Sequence, residues 1–239
     1  MTHIWAHRGA SAEAPENTLG AIARAVELGA DGVEIDVQRS GDGRLVVIHD
    51  ETVDRTTDGR GRVVDLEWAE LARLDASAGA ERFAGERLPL LEEVLDLLAP
   101  TGLELNVELK DSLERYPGMD LQVDAAVRAA GMQGRVWLSS FNHVALAGTR
   151  DAGLGHPIGL LYQTPLWQVE RYAAGFGAQA VHPGFWTLAE PGLVDRLHAA
   201  GLRVHPWTVD EPDHLRAMFA LGVDAVITNE VARALELRG

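Results

Sequence analysis

Short runs of β-branched and apolar residues alternate with helical apolar spacing through most of this sequence, and that alternation leaves few folds open. The strand runs fall at 4–8, 32–38, 45–50, 103–110, 135–140, 157–163, 179–184, 203–209 and 224–229. Between them, helices are expected at 18–28, 91–98, 121–130, 144–151, 193–200 and 215–221. In the first of these Leu19, Ile22, Ala23 and Val26 follow the i, i+3, i+4, i+7 rule, and Gly29 stands where a left-handed cap belongs. In the second half Gly131, Gly153, Gly177, Gly201 and Gly222 each precede a strand at near-regular spacing. Strands separated by helices pair in parallel, with the helices outside. Such units, about eight in 239 residues, predict an α/β fold of the (β/α)8 TIM-barrel type rather than an open doubly wound sheet. No G-x-G-x-x-G follows the first strand, which counts further against a dinucleotide fold.

Nine strand runs are one more than the barrel needs. The runs at 32–38 and 45–50 are joined by Arg39-Ser40-Gly41-Asp42-Gly43-Arg44, too short for a helix and rich in turn residues. They are expected to form an antiparallel hairpin extending barrel strand two. A turn centred near residues 41–42 pairs Asp36 with Val47 and Glu34 with His49, bringing His49 beside two carboxylates. Residues 51–90 break the repeat. They are expected as a small insertion over the barrel rim, too poor in periodic apolar positions to bury a core of their own. Residues 1–239 then read as a single catalytic barrel domain.

Charge narrows the function classes. The formal net charge is −15, and such a surface repels nucleic acid and anionic membrane, both of which need clustered Lys and Arg. No apolar stretch approaches the roughly 18 residues of a membrane span, so no stable membrane anchoring is expected. Cysteine is absent, which removes disulfides, thiol nucleophiles and Cys–Zn sites. The N-terminus has no basic region followed by an apolar run, so a cytoplasmic protein is expected. All the basic residues but one are Arg. The exception, Lys110, is a candidate for a role that guanidinium cannot fill.

Catalytic groups of such barrels stand at the C-terminal ends of strands. Those ends carry His7-Arg8-Gly9, Glu34-Ile35-Asp36, His49-Asp50 and Glu104-Leu105-Asn106-Val107-Glu108-Leu109-Lys110. Glu34 and Asp36 are two apart in a strand and share a face. Two carboxylates inside a barrel are costly unless something positive neutralises them, and Glu108 on the adjacent strand makes a third. Three oxygen ligands suit one hard divalent cation, Mg²⁺ or Ca²⁺. Salt bridges to Arg8 and Lys110 alone leave one negative charge in excess. His7 and His49, from different strands near one metal, suit a general acid–base pair. His3, His143, His156, His198 and His214 read as structural, and His182 and His205, each before a proline, stand between the two readings. Asn17 precedes a helical run, where it would serve as an N-cap.

Together with Pro15-Glu16-Asn17-Thr18, Arg55-Thr56-Thr57, Leu88-Pro89-Leu90-Leu91-Glu92-Glu93, Ser139-Ser140-Phe141 and Trp207-Thr208-Val209, these motifs form an ordered series. The series resembles the glycerophosphodiester phosphodiesterase family over essentially the whole chain. The resemblance implies a TIM barrel that hydrolyses small-molecule glycerophosphodiesters, such as glycerophosphocholine or glycerophosphoethanolamine, to glycerol 3-phosphate and an alcohol. It implies that Glu34, Asp36 and Glu108 hold the cation, that His7 and His49 are the catalytic pair, and that Arg8 and Lys110 face the phosphate. It also implies a site-shaping role for Glu16 and Asn17, and Trp207 as a cover for glycerol or a choline-like cation. Two positions depart from the family pattern: Asp210 follows Trp-Thr-Val where Asn is usual, and Thr228-Asn229-Glu230 lacks the usual following proline. Both are expected to lie away from the metal and histidine set. Two other functions compete. A lysophospholipid phosphodiesterase on the same barrel needs an apolar groove, and the 51–90 insertion is too charged to supply one. A non-catalytic phospho-ligand-binding barrel predicts a missing histidine or carboxylate, and none is missing.

Overall fold

Strands β1 (His3–His7) and β2 (Gly32–Arg39) pair in parallel, and helix α1 (Leu19–Leu28) crosses between them. The computed structural model, which describes residues 1–239, repeats that unit around a ring. After β3 (Leu45–Val47) and the short helix α2 (Trp68–Leu71) come α3 (Leu91–Leu98), β4 (Glu104–Leu109), α4 (Met119–Ala129), β5 (Val136–Ser140) and α5 (His143–Asp151). Then follow β6 (Ile158–Tyr162), α6 (Val169–Phe176), β7 (Ala180–Pro183), α7 (Leu193–Ala199), β8 (Arg203–Val204), α8 (Pro212–Leu221), β9 (Ala225–Thr228) and α9 (Val231–Arg238). The spatial order is β8-β7-β6-β5-β4-β2-β1-β9, with β3 attached antiparallel to β2. This is the expected eight-stranded parallel barrel with a hairpin appended. Its seam is closed by backbone bonds: the Asp224 N–H donates to Val204 O at 3.0 Å, and the Ile227 N–H to Pro206 O at 2.9 Å. Strand β8 is short because Pro206 has no N–H to offer a ladder. No helix is long and apolar enough to cross a membrane.

Helix α1 is capped by Thr18, whose hydroxyl accepts from the Ala21 N–H, so Asn17 is not the N-cap. Gly29 closes it with φ 82°. Gly177 and Gly222 end α6 and α8 in the same left-handed conformation. Helices α6 and α9 lie outside the expected set. Each buries only two residues, Val169 with Ala173 and Val231 with Ala234, so little apolar periodicity announces them.

The hairpin exists, but its register is one residue from the expected one. Val37, not Asp36, stands opposite Val47, and β3 stops there. His49 approaches the carboxylates because the chain turns inward beyond the strand. That turn is held by buried Gln38, whose Nε2 donates to the carbonyls of His49 and Asp50 at 3.0 and 2.5 Å. The 51–90 segment does bury apolar side chains of its own, Val53, Val63, Leu71, Ala76, Leu88 and Leu90, but the cluster is completed by Val46 and Ile48 of the hairpin. The segment thus buries apolar side chains only together with the hairpin, and these residues, drawn from turns and short helices, follow no helical or strand period.

Trp5, Trp137, Ala180, Ala225 and Ile227 form a separate buried apolar cluster, against which two fully buried histidines lie. His205 packs on Trp5 and Trp137 with ring centroids 4.7 and 5.2 Å apart, and its Nδ1 lies 3.0 Å from Nε2 of His182. A Cβ on Gly159 would come within 2.3 Å of the His182 ring, so glycine there is a packing requirement. Burial holds both rings neutral, His182 at about 3 and His205 well below its ordinary value. These two read as structural.

Candidate active site

Adjacent strands set the acidic cluster. Parallel pairing places His7 beside Glu34, Glu34 beside Asn106, and Asp36 beside Glu108. Glu34, Asp36 and Glu108 can each offer an oxygen such that all three lie within 4.8 Å of one another. Burial, and then the charges of Asp36 and Glu108, push Glu34 well above the usual carboxylate range. Burial and Asp36 also raise Glu108, against the pull of Lys110. Burial would raise Asp36 as well, but Arg8 and Lys110 outweigh it and hold the group below its ordinary value. Asn106 is 1% exposed, faces the same cavity, and its Oδ1 has no hydrogen-bond partner. An all-oxygen donor set with excess negative charge and an orphaned amide oxygen fits a hard divalent cation.

The two cations are bound into the cluster. Arg8 Nε lies 3.3 Å from Asp36, and its NH1 donates to Glu16 at 2.8 Å. The Arg8 backbone N–H donates to the carbonyl of Glu34 at 2.9 Å and to its carboxylate at 3.0 Å. Lys110 Nζ donates to Glu108 at 2.9 Å and lies 3.7 Å from Asp36. Arg8 lines the cavity, whereas Lys110 is not among the residues that line it. Asn17 and Asp36 bond reciprocally: Asn17 Nδ2 donates to the carboxylate at 2.9 Å, and the Asp36 N–H donates back to Oδ1 at 3.3 Å. Arg8 and Asn17 both have φ 58°, a left-handed conformation costing on the order of 1–3 kcal/mol for such residues. The strain is sustained by these bonds and aims both side chains at Asp36.

His7 and His49 line one cavity of about 220 Å³ together with Glu34 and Glu108. His7 Nδ1 lies 2.8 Å from Asn229 Oδ1, so a proton on Nδ1 is donated and Nε2 is left free, 4.0 Å from Glu34. Burial, and then Arg8, lower the imidazole to about 4 and keep it neutral. His49 Nδ1 lies 2.6 Å from Asp50 Oδ1. Asp50 is in turn gripped by Arg55, which donates to it at 2.7 and 2.9 Å and to Glu16 at 2.7 and 2.8 Å. Glu16 therefore bridges Arg8 and Arg55 rather than reaching the cavity. Trp207 lines the cavity, and its indole N–H donates to His182 O at 2.8 Å.

Four groups to which the sequence assigns no role hold the histidines and their neighbours in place: Gln38, Asp50, Arg55 and Asn229. Asn229 corrects a specific expectation. The two departures from the family pattern are not remote from the histidines. Asp210 Oδ2 accepts from Asn229 Nδ2 at 2.7 Å, and the same amide meets His7. Barrel closure puts β9 beside β1, which no linear motif announces.

A parallel barrel that gathers acids, imidazoles and cations at the carboxyl ends of its strands has the build of a barrel enzyme. Comparison with known proteins is more specific. The glycerophosphoryl diester phosphodiesterase family matches residues 7–233. A glycerophosphodiester phosphodiesterase of Caldanaerobacter subterraneus subsp. tengcongensis is 42% identical, over 99% of this chain and 97% of that one. A glycerophosphodiester phosphodiesterase of Bacillus altitudinis is 38% identical, over 100% and 98%. Among solved structures, an Oleispira antarctica phosphodiesterase in complex with the product sn-glycerol-3-phosphate superposes with a TM-score of 0.88 at 29% identity, over 100% of this chain and 97% of that one. The chain belongs to the glycerophosphoryl diester phosphodiesterase family.

Proposed function

We propose that this enzyme hydrolyses glycerophosphodiesters such as glycerophosphocholine and glycerophosphoethanolamine to glycerol 3-phosphate and the free alcohol, by His/His acid–base catalysis with one divalent cation. The observation that carries the reading is the shared cavity: two imidazoles from different strands, each with Nδ1 tied to a partner, beside three clustered carboxylates. Glu34, Asp36 and Glu108 would hold Mg²⁺ or Ca²⁺, which supplies a Lewis acid for the phosphoryl oxygen. Arg8, on the cavity wall, attracts the anionic diester and stabilises the charge that builds on phosphorus. Lys110 balances the carboxylates and keeps Asp36 ionised.

His7, neutral and with Nε2 free, is suited to take the proton of the attacking hydroxyl, whether water or the glycerol 2-hydroxyl. His49, backed by Asp50, is suited to give a proton to the departing alkoxide. Each transfer is worth roughly 10²–10⁴ in rate. Chelation followed by readdition of single metals, assayed on a panel of glycerophosphodiesters, tests the reading. Loss on chelation with recovery by Mg²⁺ or Ca²⁺ supports it, and undiminished turnover after chelation rejects the cation.

A further inference from the structure

The acidic cluster has two unlike flanks. On the β1 side Asp36 is held by Arg8 and by the Asn17 amide. On the other side, strand register sets two more polar residues beside the carboxylates. Glu34 of β2 pairs with Asn106 of β4, and Glu108 of β4 pairs with Ser139 of β5. Partners in register on neighbouring strands project to the same face of the sheet. Asn106 lines the cavity with Glu34 and Glu108, so that face is the barrel interior, and Ser139 lies on it beside Glu108 without lining the cavity. Asn106 is 1% exposed and Ser139 0%. Asn106 Oδ1 and Ser139 Oγ nevertheless have no hydrogen-bond partner. Ser140, on the opposite face of β5, shows the contrast: its Oγ donates to Leu109 O at 2.8 Å and accepts from the Asn142 N–H at 3.0 Å. Orphaned polar atoms are rare in a folded interior, and two of them beside one carboxylate cluster ask for a common explanation.

Substrate does not supply it. A phosphodiester oxygen carries no proton and cannot satisfy an amide oxygen, which only accepts. The divalent cation does. Three carboxylate oxygens leave a hard cation short of its full shell, and Mg²⁺ or Ca²⁺ completes that shell with water. The charge of the cation polarises the O–H bonds of such a water, which then need acceptors. An amide oxygen and a hydroxyl oxygen accept without adding charge to a cluster that already has negative charge in excess.

We infer that Asn106 Oδ1 and Ser139 Oγ accept hydrogen bonds from one water of the cation and are positioning residues for it. The inference rests on the cation reading and deepens it. The strand order β1-β2-β4-β5 puts this water on the side of the cluster away from Arg8, and leaves the Arg8 side for the anionic diester. The pair thereby fixes which face of the cation stays hydrated and which meets phosphate.

The test is calorimetric titration of Mg²⁺ and of Ca²⁺ into chelator-treated wild type, Asn106→Leu, Ser139→Ala and the double variant, with a thermal melt of each in chelator. Each single variant is expected to weaken cation binding by about 10–100-fold. Because both side chains act on one water, the double variant should lose little more than the more affected single variant, and the double-mutant cycle reads that coupling. In chelator the variants should melt at or above the wild type, since each removes an unpaired buried polar group. Unchanged cation affinity in either single variant overturns the inference, as does an additive loss in the double variant. A lower Tm in chelator at unchanged affinity overturns it in favour of a purely structural role. A raised KM for glycerophosphocholine at unchanged affinity overturns it by making Asn106 a substrate contact. A wild type that binds neither cation overturns the cation reading itself, a result distinct from binding that the variants leave untouched.

Discussion

His7 and Asn229 are joined by a 2.8 Å hydrogen bond across 222 positions of sequence, and the amide that makes it is oriented from behind by Asp210. Asp210 accepts the Asn229 side-chain N–H at 2.7 Å and its backbone N–H at 2.9 Å. The amide oxygen is therefore the only end that can face the imidazole, and it selects the tautomer with Nε2 free. Asp210→Asn disrupts this order, because an amide at 210 can present N–H to N–H. Turnover is expected to fall about 10–100-fold, the range for loss of a partner that orients a working histidine. The fall should be in kcat with KM little changed. The exchange Asp210→Asn with Asn229→Asp restores a matched pair and should recover most of the rate. A double-mutant cycle reads the coupling. Simple additivity of the two losses would mean that the pair does not act as a unit.

The acid–base assignment separates by leaving group. His7→Ala and His49→Ala are each expected to abolish turnover of glycerophosphocholine while leaving circular dichroism and Tm near wild type. With a glycerophospho-p-nitrophenyl substrate, whose phenolate leaves without a proton, the His49 variant should regain activity and the His7 variant should not. Rescue of the His7 variant instead would exchange the two roles.

Most of this site was legible in linear sequence because its chemistry is strand-borne. The alternation that places Glu34 and Asp36 on one face is a property of any strand, and Arg8 and Lys110 follow His7 and Glu108 by one and two positions. Helix 91–98 was expected to the residue, since Leu91, Val94, Leu95 and Leu98 bury one clean stripe. What could not be read depends on chain ends meeting or on turns. Asn229 reaches His7 only because β9 closes against β1. The hairpin register slipped because the turn is centred on Asp42, which pairs Arg39 with Leu45 and Val37 with Val47, and beyond Val47 Gln38 captures the chain and aims His49 by a route with no period of two. Arg55 lies in a segment without periodicity, and nothing local announces that it clamps both Glu16 and Asp50.

The carboxylate cluster is expected to trade stability for metal binding. Glu34 has its folded pKa raised by burial and by its acidic neighbours. Its ionisation therefore costs stability above its unfolded value of about 4.3, and protonation relieves that cost as pH falls. Glu34→Gln removes the charge while keeping an oxygen to accept the Arg8 N–H. The metal-free variant should melt above the metal-free wild type at pH 7, and the difference should close below about pH 4. Saturating Mg²⁺ or Ca²⁺ should reverse the order. At 100 times its dissociation constant a cation stabilises the wild type by about 2.7 kcal/mol, and the variant by much less. Thermal melts with chelator and with each metal read both effects. Equal metal shifts in the two proteins would count against Glu34 as a ligand.

The Arg55 clamp has the opposite sign. Hydrogen bonds from Arg55 lower the Asp50 carboxyl, and Arg55 with Arg8 lower Glu16 against the effect of its burial. A depressed carboxylate contributes stability above its unfolded pKa, about 4, and loses it as pH falls through the folded value. Arg55→Met should therefore lower Tm at neutral pH, with the difference shrinking steadily below about pH 4 and vanishing once both carboxyls are protonated in either state. Because Arg55 is about half exposed, at 48%, the effect is modest and should shrink again in high salt. Catalysis should suffer more than stability, since Asp50 then loses the grip that fixes His49. A pH series of melts, paired with kcat at each pH, distinguishes this clamp from a surface ion pair: a variant with unchanged kcat and a pH-independent Tm offset would leave Arg55 no part in holding His49.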